Sequence, residues 1–351
     1  MNTKKQKTTY NFIGTVTAVS PLTVTLPGGN TKGAHRLPRN GGYHSRPYFP
    51  ASSVRGALRN AGHVALTRHL GKQDVRFTIA EHFAHAQGII IKAKGVESCA
   101  SDEPQGAIDA NQSVRDDNPF MSLWGRWGMD GRCCIGNLIP LTDDCVGQFG
   151  GGARTVMFER NPNLLEDLSS EEIQQINHIL SEQAETSANM APLSAEVTTL
   201  KKSLKNIDDP EAKARIQAKI AELEAQMKQM KDDKTGSRES IRRPIDPYEA
   251  FVAGCEFEHL MTLKSATDDE LSLFLTCLLE FARGSTLGGH KAHGCGSISG
   301  EYKVTVWPED ALKPVEIGSV SFGPNGFEVT GEVLESAIGR WRSADFNFKT
   351  C

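Results

Sequence analysis

EAFVAGCEFEHLMTLKSATDDELSLFLTCLLEFARGSTLGGHKAHGCGSISGEYKVTVW, residues 249–307, carries strand, helix and strand signals in one run. Glu249 to Lys264 reads as strand, Thr267-x-x-Glu270 as a capping box, and Leu271 to Arg283 as a helix. The apolar face of that helix includes Leu271, Phe274, Leu275, Leu278 and Leu279. A glycine-rich loop, Gly284 to Gly296, leads into a second strand from Ser297 to Trp307.

The amino-terminal part repeats this order. Asn11 to Val19 alternates as a strand, and Pro21 to Pro27 gives a short extended piece. A long Gly, Pro, Arg and His loop from Gly28 to Pro50 follows, a length usually kept for function. Ser52 or Ser53 can cap a helix running through Val54, Leu58, Ala61 and Ala65 to about Leu70. Gly88 to Lys94 and Cys133 to Leu141 read as strands, with Pro119 to Trp127 a tight apolar turn between them in which Trp124 and Trp127 pack.

Residues 162–235 are acidic and nearly free of glycine. They carry the capping box Ser169-x-x-Glu172, a second helix start near Ser194 and a restart at Asp209-Pro210. Leu200, Leu204, Ile216, Ile220, Leu223 and Met227 recur at three and four spacings, which predicts an antiparallel helical hairpin inserted into the main domain. With the insertion removed, the order is βαββαβ. The expected class is therefore α+β, a modified ferredoxin-like or RNA-recognition-motif fold with a glycine-rich loop. The divisions are 1–161 for the first part, 162–235 for the helical insertion and 236–351 for the second part.

Charge is strongly uneven. The first 73 residues contain eleven Lys or Arg and no Asp or Glu, although the formal net charge of the chain is -4. Such a field suits a polyanion, above all nucleic-acid phosphates. No apolar run reaches eighteen residues, so no membrane partner is expected, and MNTKKQKTTYNF has no apolar h-region. Eight cysteines without a CxxC pair read as reduced thiols in a cytoplasm, with neither a metal nor another cofactor expected. Paired carboxylates at Asp116-Asp117 and Asp143-Asp144 read as solvated turn residues.

Two passages carry the chemistry. In PYFPASSVRGALR, Pro47 to Arg59, hydroxyls of Ser52 and Ser53 lie beside the free amides of a helix start, and Arg55 and Arg59 sit one turn apart. In GSTLGGHKAHGCGSISG, Gly284 to Gly300, glycines allow amides to turn toward an anion, while Lys291, His290 and His293 add charge and donors. Because this loop follows a helix and precedes a strand, a dinucleotide fingerprint is disfavoured.

Together the passages resemble the repeat-associated mysterious protein (RAMP) superfamily, and within it the guide-RNA-binding backbone subunits of CRISPR effector complexes. Those proteins show an (Ile/Phe)-Pro-x-Ser-Ser-(Leu/Val)-(Lys/Arg)-Gly helix start, matched by Phe49 to Gly56, and a Leu-Gly-Gly-x-x-x-x-Gly-x-Gly loop, matched by Leu287-Gly288-Gly289 and Gly294-Cys295-Gly296. PFMSLWG, Pro119 to Gly125, and Ala253 to Phe257 resemble further family segments, and about 230 residues are covered in order. The resemblance implies an RNA-recognition-like palm repeated along a CRISPR guide RNA in an antiviral ribonucleoprotein. Its partners would be guide RNA, a target strand, further copies of itself and other effector subunits.

In this sequence the residues implied to hold RNA are Arg36, Arg39, Arg46, Ser52, Ser53, Arg55 and Arg59, with Gly288, Gly289, His290, Lys291 and His293 in the loop. A thumb near Ser237 to Pro247 would add Arg238, Arg242 and Arg243. A subunit that accepts any guide sequence should contact phosphate and sugar, and with five Tyr and four Trp extended base stacking is not the main device. Tyr43, Tyr48 and Phe49 are stacking candidates, with hydrophobic packing the favoured fate of Phe49.

Target-cleaving relatives place an Asp in the loop before the first helix. Here Leu26 to Pro50 contains no carboxylate, so a divalent ion has no hard ligand there and a non-cleaving subunit is expected. Chain length, the acidless loop and the insertion point to type IV systems. Two alternatives stay open: a metal-free guide-processing endoribonuclease using His35, His44 or His290 as base, and a protein-interaction scaffold built on the hairpin. Substituting Arg55 or Arg59 by Glu is expected to weaken guide binding for every sequence and to lower its salt dependence.

Overall fold

The computed structural model describes residues 7–24, 35–40, 45–91, 108–150, 168–204, 209–232, 247–308 and 311–343, with 346 and 348. The chain divides into one unit formed by Met1–Phe149 with Pro247–Cys351, and a second formed by Gly150–Asp246.

Strand β1, Thr8–Ala18, alternates so that Tyr10, Phe12, Val16 and Ala18 are buried on one side. Helix α1, Ala51–Gly71, α2, Ile79–Gln87, α3, Ile108–Asp117, and α4, Pro119–Trp124, follow. Then come β2, Cys133–Ile135, β3, Ile139–Pro140, and β4, Val146–Phe149. In the second unit lie α5, Ser170–Ser203, and α6, Pro210–Asp232. The first unit resumes with β5, Tyr248–Phe251, β6, Glu256–Ala266, α7, Asp268–Ala282, and β7, Ile298–Val306. It ends with β8, Val315–Gly323, β9, Gly326–Thr330, and α8, Glu332–Ala337.

The main sheet runs β2-β6-β1-β7-β8-β9 with β3 also paired to β6, and every pairing is antiparallel. Its core is the ferredoxin-like arrangement: β1 lies between β6 and β7, and the strands after α1 take the far side of β6. Alternation in β6 and β7 buries Phe257, His259, Met261, Tyr302 and Val304 toward α1 and α7. Phe12 meets Phe274 of α7 with ring centroids 5.1 Å apart. Close approach of the two helices uses Gly62, where a Cβ would overlap Cys277 Sγ and lie 2.9 Å from Phe120. The capping box at Thr267 and Glu270 is present.

Several expectations are corrected. Gly88 is not a strand start: it is the left-handed C-cap of α2, at φ 73°, and 89–91 form no strand. PFMSLW is a buried helix with Asn118 as its cap, and while Trp124 is buried, Trp127 is 74% exposed. α1 starts one residue before the serines with Pro50 at the cap; Asn137 Oδ1 accepts from the Ala51 amide at 2.8 Å, so neither Ser52 nor Ser53 is the cap. Cys133 to Leu141 is divided into β2 and β3, and Glu249 to Lys264 into β5 and β6 by a turn at Gly254.

In the second unit α5 runs through Pro192 without a new start at Ser194. Leu193, Val197 and Leu200 pack there with Ile220 and Leu223 of α6, and this burial holds the helix on the C-terminal side of the proline. The Ser169 capping box is present, and Lys201 joins Glu224 at 2.8 Å across the hairpin.

Candidate nucleic-acid interface

The antiparallel sheet sends α1 and α7 in opposite directions, so the start of α1 and the end of α7 fall at one end of the helical layer. Phe49, one residue before the Pro50 cap, is fully buried, and its amide donates to Leu138 O while its own carbonyl accepts from Leu138, both at 3.0 Å. Gly288 of the late loop lies directly against it: a Cβ on Gly288 would sit 3.2 Å from Phe49 Cε2 and would overlap the carbonyl oxygen of Thr23. Gly288 also holds φ 75°, which disfavours any other residue. The Gly289 amide donates to Thr23 O at 2.9 Å and the Gly296 amide to Pro21 O at 2.8 Å. The two passages singled out in the sequence thus meet through Thr23 and Phe49, although Phe49 and Gly288 are 239 residues apart in the chain.

Beyond this junction the loop carries an imidazole stack. His290, itself at φ 53°, lies face to face on Tyr248 with centroids 4.0 Å apart, and His293 stacks on His290 at 5.7 Å. His35 joins the same place because its backbone pairs with Pro247 and Glu249 on either side of Tyr248. Burial holds the His290 pKa below the ordinary imidazole value, and His293 and His35 add to that by repulsion. Lys291 is exposed, with Nζ 3.2 Å from Thr286 O.

Not every expected residue is available for a phosphate. Arg59 is 7% exposed and donates from Nε to His85 O at 2.6 Å and from Nη2 to Ala84 O at 2.7 Å, closing the end of α2. Arg55 donates to Cys133 O at 2.5 Å and to Trp124 O. Their spacing predicts exposed grips for both. They are internal clamps instead, because the face they share meets α2 and the α4–β2 connection. Arg39 is paired with Glu249 at 2.8 Å, and the same carboxylate oxygen accepts from the Leu37 amide at 3.1 Å. Arg46 pairs with Asp143 at 2.7 Å, so Asp143 is an ion-pair partner as well as a turn residue. Gly289 and Gly296 use their amides inside the fold, which removes them from an anion nest. Ser52 is exposed and Ser53 half-buried in the first turn of α1. Arg36 lies between His35 and Leu37 at the same junction. His44, Tyr43, Arg238, Arg242 and Arg243, and with them the expected thumb, lie outside the described residues.

The open face of the sheet has the opposite character. The aromatic residues of β1, β6 and β7, namely Tyr10, Phe12, Phe257 and Tyr302, all point into the core. One cross-strand row on the outer face reads Glu258, Thr15, Glu301, Ser321 and Glu328. A carboxylate row without aromatic platforms repels a nucleic-acid strand, unlike the stacking sheet of RNA-recognition motifs. Sequence reasoning missed Tyr248, Glu249, Thr23 and Asn137 as organisers of this end. Only Tyr248 carried a local sign, standing at the apolar phase of the strand that follows Pro247.

A chain of a solved structure titled "Type IV-B CRISPR Complex" is similar to this one: 14% identical, over 88% of this chain and 93% of that chain, at a TM-score of 0.39. No protein-family model matches the sequence, and no curated protein does. No helix among the described residues is long and apolar enough to cross a membrane, and no group of three His, Cys, Asp or Glu there could hold a metal ion.

The junction makes its own prediction. Gly288→Ala should separate the loop from Thr23, costing about 1–3 kcal/mol in backbone strain. The Gly289 amide should then exchange at least about tenfold faster in hydrogen-exchange measurements. Unchanged protection of that amide would show that the loop is held elsewhere.

Proposed function

We propose that this chain is a backbone subunit of a CRISPR effector complex that grips guide RNA by its sugar-phosphate strand, independently of base sequence and without cutting it. The observation that carries this reading is the junction of the α1 start with the glycine loop at Phe49 and Gly288. It gathers Ser52, His35, His290, Lys291 and His293 at one end of the fold, within the basic and acid-free part of the chain and its late partner loop. Donors of this kind recognise phosphate and ribose rather than base edges. The acidic outer sheet face supports the loop end, rather than the sheet, as the binding surface.

Absence of cleavage is supported by the acid-free loop and by the state of Glu249. That carboxylate stands at the junction, where Arg39 and the Leu37 amide both hold its Oε2. The ion pair with Arg39 offsets the charge with which this carboxylate would hold a metal ion for a cut.

Binding of random-sequence RNA should be measured against salt concentration for the full chain and for a Lys291→Glu, His293→Ala variant. The slope of log affinity against log salt should fall by about one per lost phosphate contact, equally for unrelated sequences. In the same series, light scattering should show bound mass rising with RNA length, and labelled repeat RNA should stay intact in chelator. An unchanged slope, or specific cuts, would overturn the reading.

A further inference from the structure

A second cationic site lies in the groove between α1 and α7, lined by side chains other than those of the Phe49–Gly288 junction. His69 is about 25 Å along α1 from Ser52, at 1.5 Å per residue. The groove encloses about 270 Å³ and is walled by Arg68, His69 and Lys72 of the α1 end, Glu280 and Arg283 of the α7 end, and Arg342. That volume is near the lower end of the roughly 300–1,000 Å³ of small-ligand pockets.

The charges are arranged, not scattered. Arg68 makes a two-pronged contact with Glu280, at 2.7 and 2.8 Å, and Arg283 joins the same carboxylate at 3.1 Å. The single acid thus fixes two guanidiniums and still leaves the group positive. Among the described residues, Lys72 and Arg342 have no carboxylate partner. Arg342 is placed by its neighbour: Trp341 is buried, with its indole N–H donating to Thr276 Oγ1 at 2.8 Å and its amide to Ser272 Oγ at 3.1 Å. The Arg342 guanidinium lies 5.8 Å over the Trp341 ring, and His69 meets the same ring edge-on at 4.7 Å. Cations at helix C-termini offset the macrodipole, which accounts for one or two of them. It does not account for four around one cavity in which, among the described residues, the one acid is already bridged. His69 registers the surplus, since after burial Arg342 and Lys72 are what hold its pKa down.

We infer that this groove is a phosphate-binding site, separate from the loop junction, in which Lys72 and Arg342 contact the oxyanion and the Arg68–Glu280–Arg283 bridge holds the wall. Arginine forks and a lysine point charge are the side chains that recognise phosphate oxygens. The phosphate is either free, as in a diphosphate or nucleotide, or part of a nucleic-acid strand. The site stands whether or not the glycine loop binds RNA.

Calorimetry of the full chain with inorganic pyrophosphate at low ionic strength is the test, using Lys72→Glu, Arg342→Glu and, as a control at an exposed lysine outside both sites, Lys313→Glu. Lys72 and Arg342 are exposed, so the doubly substituted protein should keep its melting temperature; if it does not, Lys72→Gln with Arg342→Gln replaces it. Saturable pyrophosphate binding weakened at least about tenfold in the double variant and unchanged in the control supports a free phosphate ligand. If pyrophosphate is silent but the salt slope for single-stranded RNA falls by about two in the double variant alone, the ligand is strand phosphate. If neither quantity responds to Lys72 and Arg342, the inference is wrong.

Discussion

Replacing Arg59 by Met should destabilise the protein by about 2–4 kcal/mol, and should do so in the absence of any RNA. Among the described residues the guanidinium is the donor to His85 O at the end of α2, it joins the Gly88 amide as a second donor to Ala84 O, and it reaches toward Trp124 O at 3.4 Å. It also fills the space under Gly88, whose absent Cβ would stand 2.9 Å from Nη1. A buried acceptor left without a donor costs about 1–3 kcal/mol; His85 O is left so, Ala84 O loses one of its two donors, and the volume of the guanidinium head is vacated. Burial lowers the Arg59 pKa to about 10, so the group is still charged at neutral pH and its full charge rests on backbone carbonyls. Thermal or chemical denaturation of the unliganded protein checks this, with Arg59→Lys expected to fall between the two because a point charge cannot reach both carbonyls. A variant that melts like the parent, yet shows a reduced RNA salt slope, would return Arg59 to the phosphate surface. An Arg59→Glu protein that fails to bind RNA therefore reports folding, not contact.

Why the sequence misassigned Arg59 is physically plain. Helical spacing puts Arg55 and Arg59 on one face, but spacing cannot say what that face meets. The answer lay in α2, whose capping box Thr78-x-x-Glu81 is as regular as those at Ser169 and Thr267. It went unread beside the apolar run GIIIKAK, which imitates a strand. Where one element dictates its own signal, as with the Thr267 box, the alternation of β1 or the stripe of α6, the reading was direct. Where a residue's role is set by a distant segment, it was not: Asn137 caps a helix 86 residues away, and Tyr248 stacks on a histidine of the late loop. The juxtaposition of the two motifs was legible only at the level of topology, since βαββαβ winding itself brings the start of the first helix to the end of the second.

Acidification from pH 6.5 to about 4.5 should lower the unfolding free energy steeply, because the fold holds three histidines neutral in its interior. His85 is fully buried: Nδ1–H donates to Glu81 O at 2.9 Å and Nε2 accepts from Asn118 Nδ2 at 3.2 Å. His259 donates from Nε2 to Gly136 O at 3.1 Å and accepts the Tyr302 hydroxyl on Nδ1 at 2.6 Å. His63 shares a 3.0 Å hydrogen bond with His82 and lies near Arg59. In the first two, the remaining ring nitrogen faces a donor, so an added proton has no acceptor. Burial depresses the pKa of His63 and His259 to about 4 and of His85 to about 3. All three would titrate near 6.5 in the unfolded chain. The unfolded state therefore binds more protons throughout this window. The stability these groups contribute is complete above pH 6.5 and is lost as pH falls toward the folded values. Each contributes a slope of up to about 1.4 kcal/mol per pH unit, so the three together approach about 4 kcal/mol per unit below pH 6. Against a typical reserve of roughly 5–15 kcal/mol, unfolding should set in near pH 4 to 5, before most carboxylates protonate. Denaturant titrations at half-unit pH steps measure this slope, and His259→Gln should reduce it by about one proton. A stability that stays level from pH 6.5 to 4.5 would mean that these imidazoles are charged or solvated in the native protein.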